Sequence, residues 1–175
     1  MSIVVCNTIE SSTTVTNVDL ACVQQCAIDL RLDRVWMMSG PFLIDEERKS
    51  HRNKVEIKPG DDGYINLVNG SYEVAFCHEA DLGKYEAGII VTRSTLNRNG
   101  VVVTSGMCDP KFNGNLGGLL IVTGGSFKVK PKTRIAQFVV FDVKNPTGEY
   151  DGDYVLDRNK KPKLMEQQYY TIDRQ

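Results

Sequence analysis

Between residues 55 and 143 the chain is cut into short apolar runs by turn-forming residues at nearly even intervals, and this rhythm restricts the fold more than any other feature. The runs cover 55–57, 64–68, 72–77, 88–91, 101–104, 119–123, 127–129 and 135–143, and are rich in β-branched and aromatic residues. The breaks between them are Pro59-Gly60-Asp61-Asp62-Gly63, Asn69-Gly70, Asn99-Gly100, Asn113-Gly114 and Gly124-Gly125. Runs this short suit strands, and Asn-Gly and Gly-Gly pairs supply the positive φ that tight connections require. Long amphipathic stretches that would alternate with strands in a βαβ fold are missing from the pattern. The chain is therefore expected to be all-β, a sandwich or barrel.

Helix is expected in two short places. Residues 93–98 make one turn, stopped by Asn99-Gly100, and 19–26 make another. The charged stretch 45–54 reads as a solvated loop or edge. Residues 144–175 hold two prolines and many charges, with Tyr154, Tyr169 and Tyr170 as apolar anchors, and read as an extended arm on a single domain spanning 1–175.

Composition excludes several partners. At 175 residues the chain is long enough for one buried core. Lys and Arg number 21 against 22 Asp and Glu, a formal net charge of −1, which leaves no broad basic footprint for nucleic acid or an anionic membrane. No apolar run approaches the roughly 20 residues of a spanning helix. The first residues, Met1 to Ser12, lack the basic and apolar regions of a signal peptide, so a cytoplasmic protein is expected.

The five cysteines, Cys6, Cys22, Cys26, Cys77 and Cys108, are odd in number and scattered, as expected of reduced thiols. Cys77 and His78 are neighbours, and on a strand neighbours face opposite ways. The cysteines read as packing residues, and His51 and His78 as solvated side chains; neither a metal cage nor thiol catalysis is assigned.

Four segments place polar residues where strand or turn filler would be expected: Cys26-Ala-Ile-Asp-Leu-Arg-Leu32, Thr92-Arg-Ser-Thr-Leu-Asn-Arg-Asn-Gly100, Ser105-Gly-Met-Cys-Asp-Pro-Lys-Phe-Asn-Gly114 and Pro131-Lys-Thr-Arg-Ile-Ala-Gln-Phe138. Taken singly, each has a plain structural reading. Asp29 and Arg31 on one strand suit inter-strand ion pairs, Phe112 suits a core aromatic at a turn, Arg134 an edge charge, and Gly117-Gly118 a bulge or a close backbone approach.

In this order and at these separations, the four segments resemble the motifs of the trimeric dUTPase and dCTP deaminase superfamily, over residues 25–154. The first resembles the family's Ala/Ser-x-Asp-Leu-Arg strand. Arg93-Ser94-x-Leu96-x-Arg98-x-Gly100 and Asp109-Pro110-x-Phe112-x-Gly114 are closer to the deaminase forms of the second and third motifs. Arg134-Ile135-Ala136-Gln137 matches the dUTPase form of the fourth, and Tyr150-Asp-Gly-Asp-Tyr154 is similar to the deaminase C-terminal segment. Two departures stand beside these matches. The strand that carries the deaminase proton-relay glutamate reads Asn115-Leu-Gly-Gly-Leu-Leu-Ile-Val122, placing Gly118 or Leu119 at that position. The glycine-rich C-terminal motif of dUTPases is replaced by Asn159-Lys-Lys-Pro-Lys163 and Arg174.

The resemblance implies a distorted, jelly-roll-like β-barrel, assembled as a homotrimer with sites where subunits meet. It implies that Arg93 and Ser94, on a tight turn, hold phosphate oxygens, with Arg98, Arg134 and Gln137 adding contacts. The hairpin 100–109, including Thr104, reads a pyrimidine edge. Asp109 touches the sugar 3′-hydroxyl and orients the attacking water, and Phe112 lies under the deoxyribose. Asp29 either pairs with Arg134 or holds a metal-bound water. Mg2+ enters held mainly by the substrate's phosphates, with no direct protein ligand.

Such a set suffices for water attack at phosphorus, which is mostly positioning and charge stabilisation. The leading expectation is hydrolysis of a pyrimidine deoxynucleoside triphosphate, dUTP first, to the monophosphate and pyrophosphate. The alternatives are dCTP deamination, with Glu79 or Glu86 standing in for the missing glutamate, and a trimer that binds nucleotide without turnover.

Overall fold

The computed structural model describes residues 3–4, by their backbone, and 11–147. Thirteen strands occur among them: β1 (Ile3–Val4), β2 (Thr14–Val15), β3 (Ile28–Ser39), β4 (Leu43–Ile44), β5 (Lys49–Ser50), β6 (Asn53–Glu56), β7 (Ile65–Leu67), β8 (Gly70–Asp81), β9 (Glu86–Thr92), β10 (Val101–Thr104), β11 (Asn113–Val122), β12 (Phe127–Val129) and β13 (Arg134–Asp142). Helix is confined to a 3-10 turn, Leu20–Cys22, and to α1 (Ser94–Asn97). All eight apolar runs fall on strands, and the two short helices fall inside the two stretches expected to hold them. Residues 45–54, expected to be loop or edge, are an exposed hairpin of β4 and β5 running into β6.

Two long strands organise the barrel by changing partners along their length. The first half of β3 pairs with β13, and the second half pairs with β8 and β6. The far side of β8 carries β11, which carries β10 in turn. The order β10-β11-β8-β3-β13-β9 then nearly closes on itself. Gly88 bridges Cys108, the Ile90 amide donates to Ser105 Oγ at 3.0 Å, and Thr92 Oγ1 both donates to the Val103 carbonyl (2.8 Å) and accepts from the Val103 amide (2.7 Å). These links cover part of the open edges that β10 and β9 would otherwise present.

Alternation along the strands fills the interior with Leu30, Leu32, Val35, Ile90, Leu116, Leu120, Ile135 and Phe138, each at most 1% exposed. Burying a side chain of this size contributes roughly 1.5–3 kcal/mol, so a handful of them dominates the stabilisation of the barrel.

His78 corrects the expectation of solvated histidines. It is 0% exposed on β8, with Nε2 accepting from the Arg31 amide at 3.1 Å and Nδ1 lying 3.1 Å from the Thr16 carbonyl. That pairing fixes a neutral ring that donates from Nδ1, and burial pushes its pKa below the usual 6.5. The anticipated arm lies outside the described residues from 148 onward, and with it the tail lysines, Arg174 and the 150–154 segment.

Candidate functional site

The residues of the first, second and fourth motifs meet at one carboxylate. The β3–β13 register sets Asp29 opposite Gln137 and Arg31 opposite Arg134. The β13–β9 register sets Ala136 opposite Thr92, so Arg93, the next residue, leaves β9 beside the same spot. Asp29 is 0% exposed. Its Oδ1 accepts from Gln137 Nε2 at 3.1 Å, and its Oδ2 faces Arg134 Nη1 at 3.2 Å, Arg93 Nε at 3.4 Å and Gln24 Nε2 at 3.5 Å. Arg93 Nη1 also donates to the Arg134 carbonyl at 3.0 Å, and Arg134 Nη1 to the carbonyl of Ala21.

Of the two roles open to Asp29, pairing with Arg134 is the one its contacts match. Both carboxylate oxygens are engaged by cations and amides. One buried negative charge thus holds two guanidinium groups, and the cluster has a formal surplus of one positive charge. The arginine side chains remain 31% and 38% exposed. Such a fixed, half-solvated pair of planar cations suits an anion with several oxygens.

Arg31 points elsewhere, forming an ion pair with Asp19 at 2.5 Å and donating to the Asn17 carbonyl at 2.6 Å. Ser94 opens α1 and Arg98 closes it, both exposed. Gly100 takes φ +71 where the chain reverses into β10, a conformation that L side chains rarely adopt. Thr104, the last residue of β10, is exposed as well.

The third motif lines a cavity. Beyond Thr104 the chain loops through Ser105, Gly106 and Met107 to Cys108, which is held against β9 by its bridge to Gly88. These residues, with Phe112, residues 115–119 of β11, Glu73 and Val74 of β8 and Met38 of β3, enclose about 410 Å³. Phe112 is 5% exposed and belongs to the core while also forming cavity wall. Asp109 is exposed immediately after Cys108, and its carbonyl accepts from the Phe112 amide at 3.0 Å across Lys111, which takes φ +65. Burial, with the Asp109 carboxylate adding to it, pushes the Cys108 thiol up to about 11, so this wall residue stays protonated at neutral pH.

The β11–β8 register slips between Asn115 and Gly117, but Gly117 and Gly118 themselves pair regularly with Ala75 and Val74; of the two readings open to them, the close backbone approach is the one seen. A Cβ on Gly118 would come within 2.3 Å of the Thr104 carbonyl oxygen. A side chain there requires the backbone to move, so Gly118 is closed to a glutamate. Leu119 is paired to Thr104 on one side and to Glu73 on the other.

The expected stand-ins for that glutamate lie elsewhere. Glu86 is a buried structural acceptor: its Oε2 takes the amide and hydroxyl of both Ser12 and Thr13 at 3.0–3.1 Å. Glu79 is exposed, opposite Asn115. The carboxylate that does line the cavity is Glu73, which none of the sequence motifs contains. Its signal was a single acid in the otherwise apolar run Tyr72-Glu73-Val74-Ala75-Phe76.

Among the described residues no group of three or more His, Cys, Asp or Glu is arranged to hold a metal ion.

A family model described as dCTP deaminase-like matches residues 5–143. The deoxyuridine 5′-triphosphate nucleotidohydrolase of Methanocaldococcus jannaschii is 31% identical over 135 residues, covering 75% of this chain and 86% of that protein. A protein of Methanothermobacter thermautotrophicus, named "Probable deoxyuridine 5′-triphosphate nucleotidohydrolase", is 34% identical over 135 residues, covering 75% of this chain and 87% of its own. The 2′-deoxycytidine 5′-triphosphate deaminase of Agrobacterium tumefaciens shares the fold with a TM-score of 0.55 at 15% identity. That alignment covers 75% of this chain and 42% of the deaminase, so this chain spans less than half of its length.

Proposed function

The chain belongs to the dCTP deaminase-like family, and within it we propose that it hydrolyses a pyrimidine deoxynucleoside triphosphate, dUTP first, to the monophosphate and pyrophosphate. The observation that carries this reading is the convergence of Arg93, Arg134 and Gln137 on buried Asp29. It presents fixed cationic donors to an anion, and the resemblance of two relatives named as dUTP nucleotidohydrolases points to the same chemistry.

In this reading the triphosphate, with its magnesium, lies against Arg93, Ser94, Arg98, Arg134 and Gln137, and the base enters the cavity behind the 105–108 loop. Phe112 forms the wall beneath the sugar. Asp109, exposed at the end of that loop, accepts a hydrogen bond from water and aims it at the α-phosphorus. A P–O bond to water forms as the bond to the pyrophosphate oxygen breaks, and the arginines hold the charge that collects on the leaving group.

Deamination needs a proton carrier beside C4 of the ring, and neither Gly118 nor Leu119, where the resemblance puts the deaminase glutamate, supplies one. The proposed enzyme is a homotrimer, each site completed by a neighbour. Among the described residues no helix is long and apolar enough to cross a membrane. The test is magnesium-dependent release of pyrophosphate from dUTP by the full chain, with Asp109→Asn abolishing it. Undiminished turnover in that variant removes Asp109 from the reaction, and silence of the wild-type chain on every deoxynucleoside triphosphate leaves a binding trimer instead.

A further inference from the structure

Glu73 is the charged side chain in the lining of the cavity; its neighbours there are apolar residues, glycines, Ser105, Asn115 and the protonated Cys108. A carboxylate in such a wall costs desolvation energy unless it is held and used. It is held: Lys54 of β6 reaches across β3 to place Nζ 2.5 Å from Glu73 Oε2, and the two side chains are 15% and 27% exposed. Lys54 is not part of the lining, so it fixes the carboxylate from behind while leaving the cavity side to accept a hydrogen bond.

We propose that Glu73 is the base-selecting residue of this pocket, its carboxylate accepting a hydrogen bond from N3–H of a uracil ring seated in the cavity. The inference rests on the uracil-nucleotide reading above and gives it a residue that discriminates. The spacing supports it. Thr104, Leu119 and Glu73 are consecutive cross-strand partners, so the start of the loop and Glu73 flank β11 two strand spacings apart, about 10 Å. A pyrimidine with a hydrogen bond at each edge fills a gap of that order. Uracil offers one ring donor, N3–H, between two carbonyl acceptors. A carboxylate attracts that donor and repels both carbonyls, so it fixes the orientation of the ring, while backbone N–H groups of the loop are the complementary donors for the carbonyl edge.

Hydrogen bonds to a charged partner change affinity by roughly tenfold to a hundredfold. The experiment measures binding and KM for dUTP and for N3-methyl-dUTP, with the wild-type chain, Glu73→Gln, and a Lys54→Met/Glu73→Leu double variant that removes both charges without stranding either. The wild-type chain is expected to favour dUTP by about tenfold to a hundredfold. The double variant brings the ratio near one, the loss appearing in the KM for dUTP, and Glu73→Gln, which keeps a neutral acceptor, falls between.

A structural role would weaken both nucleotides equally and leave the ratio intact, which overturns the proposal. Ammonia release from dCTP that Glu73→Gln abolishes overturns it too, by assigning the carboxylate to proton transfer. Failure of the wild-type chain to bind or turn over dUTP defeats the uracil-nucleotide reading itself, whereas dUTP hydrolysis with an unaltered ratio defeats only the role of Glu73.

Discussion

Asp29→Asn isolates the centre of the site with almost no change in shape. The side-chain carbonyl of the variant can still accept from Gln137, but its amide N–H groups now face Arg93 Nε and Arg134 Nη1, donor against donor, and the two guanidinium groups lose their shared counter-charge. Removing one partner of a wholly buried ion pair costs about 3–5 kcal/mol. Here the surviving cations are 31% and 38% exposed and can recruit water, so a loss of about 2–3 kcal/mol is the better expectation. For a chain of this length each kcal/mol lowers Tm by about 2–4 °C, which gives a fall of about 4–12 °C at fixed protein concentration. The larger effect is on function. Freed of Asp29, each arginine keeps a single carbonyl tether, Arg93 to Arg134 and Arg134 to Ala21, and misplacement on the ångström scale costs about a hundredfold in rate. Calorimetry and a pyrophosphate assay on the same preparation read both numbers, with Asp29→Ala as a second variant that leaves no amide to rearrange. A variant with a lowered Tm and undiminished kcat/KM for dUTP would refute the argument that Asp29 organises the phosphate contacts.

Gly118→Ala should lower Tm by several degrees and raise the KM for dUTP, because its Cβ meets the Thr104 carbonyl at 2.3 Å and strain of this kind costs about 1–3 kcal/mol; thermal melts and initial rates check it. Thr92→Val should cost about 1–3 kcal/mol by stranding the amide and carbonyl of Val103, while Thr92→Ser, which restores the hydroxyl, should recover most of the loss. Stability should decline in two steps on acidification. His78 is neutral in the fold because burial lowers its pKa, so the unfolded chain takes up protons first and stability falls as pH drops below about 6.5. At Glu86 burial raises the pKa, but hydrogen bonds from Ser11, Ser12 and Thr13 together outweigh it and leave the pKa below 4.5, so its contribution, present above that value, is lost as pH falls through the lowered one. Melting curves between pH 3 and 8 would show both, and His78→Asn should flatten the first.

The strands from residue 53 onward were legible because Gly and Asn cut the apolar runs where the chain must turn. The long strand β3 was less so: beyond Leu32 it continues through Asp33, Arg34 and Trp36 to Ser39, where charged residues lie on the outer face and mask the period. Its pairing with three different strands explains the irregular pattern, since no single face stays buried along its length. His78 was misread for a related reason. Composition marks a histidine as polar, while its satisfaction by the Arg31 amide and the Thr16 carbonyl depends on strands more than 40 residues apart in sequence. At the site, Asp29, Arg93, Arg134 and Gln137 lie together, and the pairing of Asp29 with Arg134 is one of the two roles that the family resemblance implied for it. Glu73 belongs to no motif, and its significance arises from a register that only the folded sheet displays.

The barrel seam shows how the arginine cluster and the cavity can act as one unit in the proposed reading. Thr92, whose hydroxyl closes β9 onto Val103, immediately precedes Arg93, and Val103 immediately precedes Thr104 and the 105–108 loop. Ser105 and Cys108 of that loop are tied to Ile90 and Gly88 of the same strand. A shift of β9 against β10 therefore moves the Arg93 guanidinium and the cavity wall together, while β11 holds Gly118 under the Thr104 carbonyl. The chain's near-zero net charge conceals this arrangement, because charges that cancel over 175 residues are sorted locally. Two arginines share one buried aspartate at the anion-facing end, and one glutamate backed by a lysine stands in the cavity wall. Joining the sheet across the seam that carries Arg93 and the 105–108 loop fixes their separation by backbone geometry, as the proposed grip on a triphosphate and its base requires.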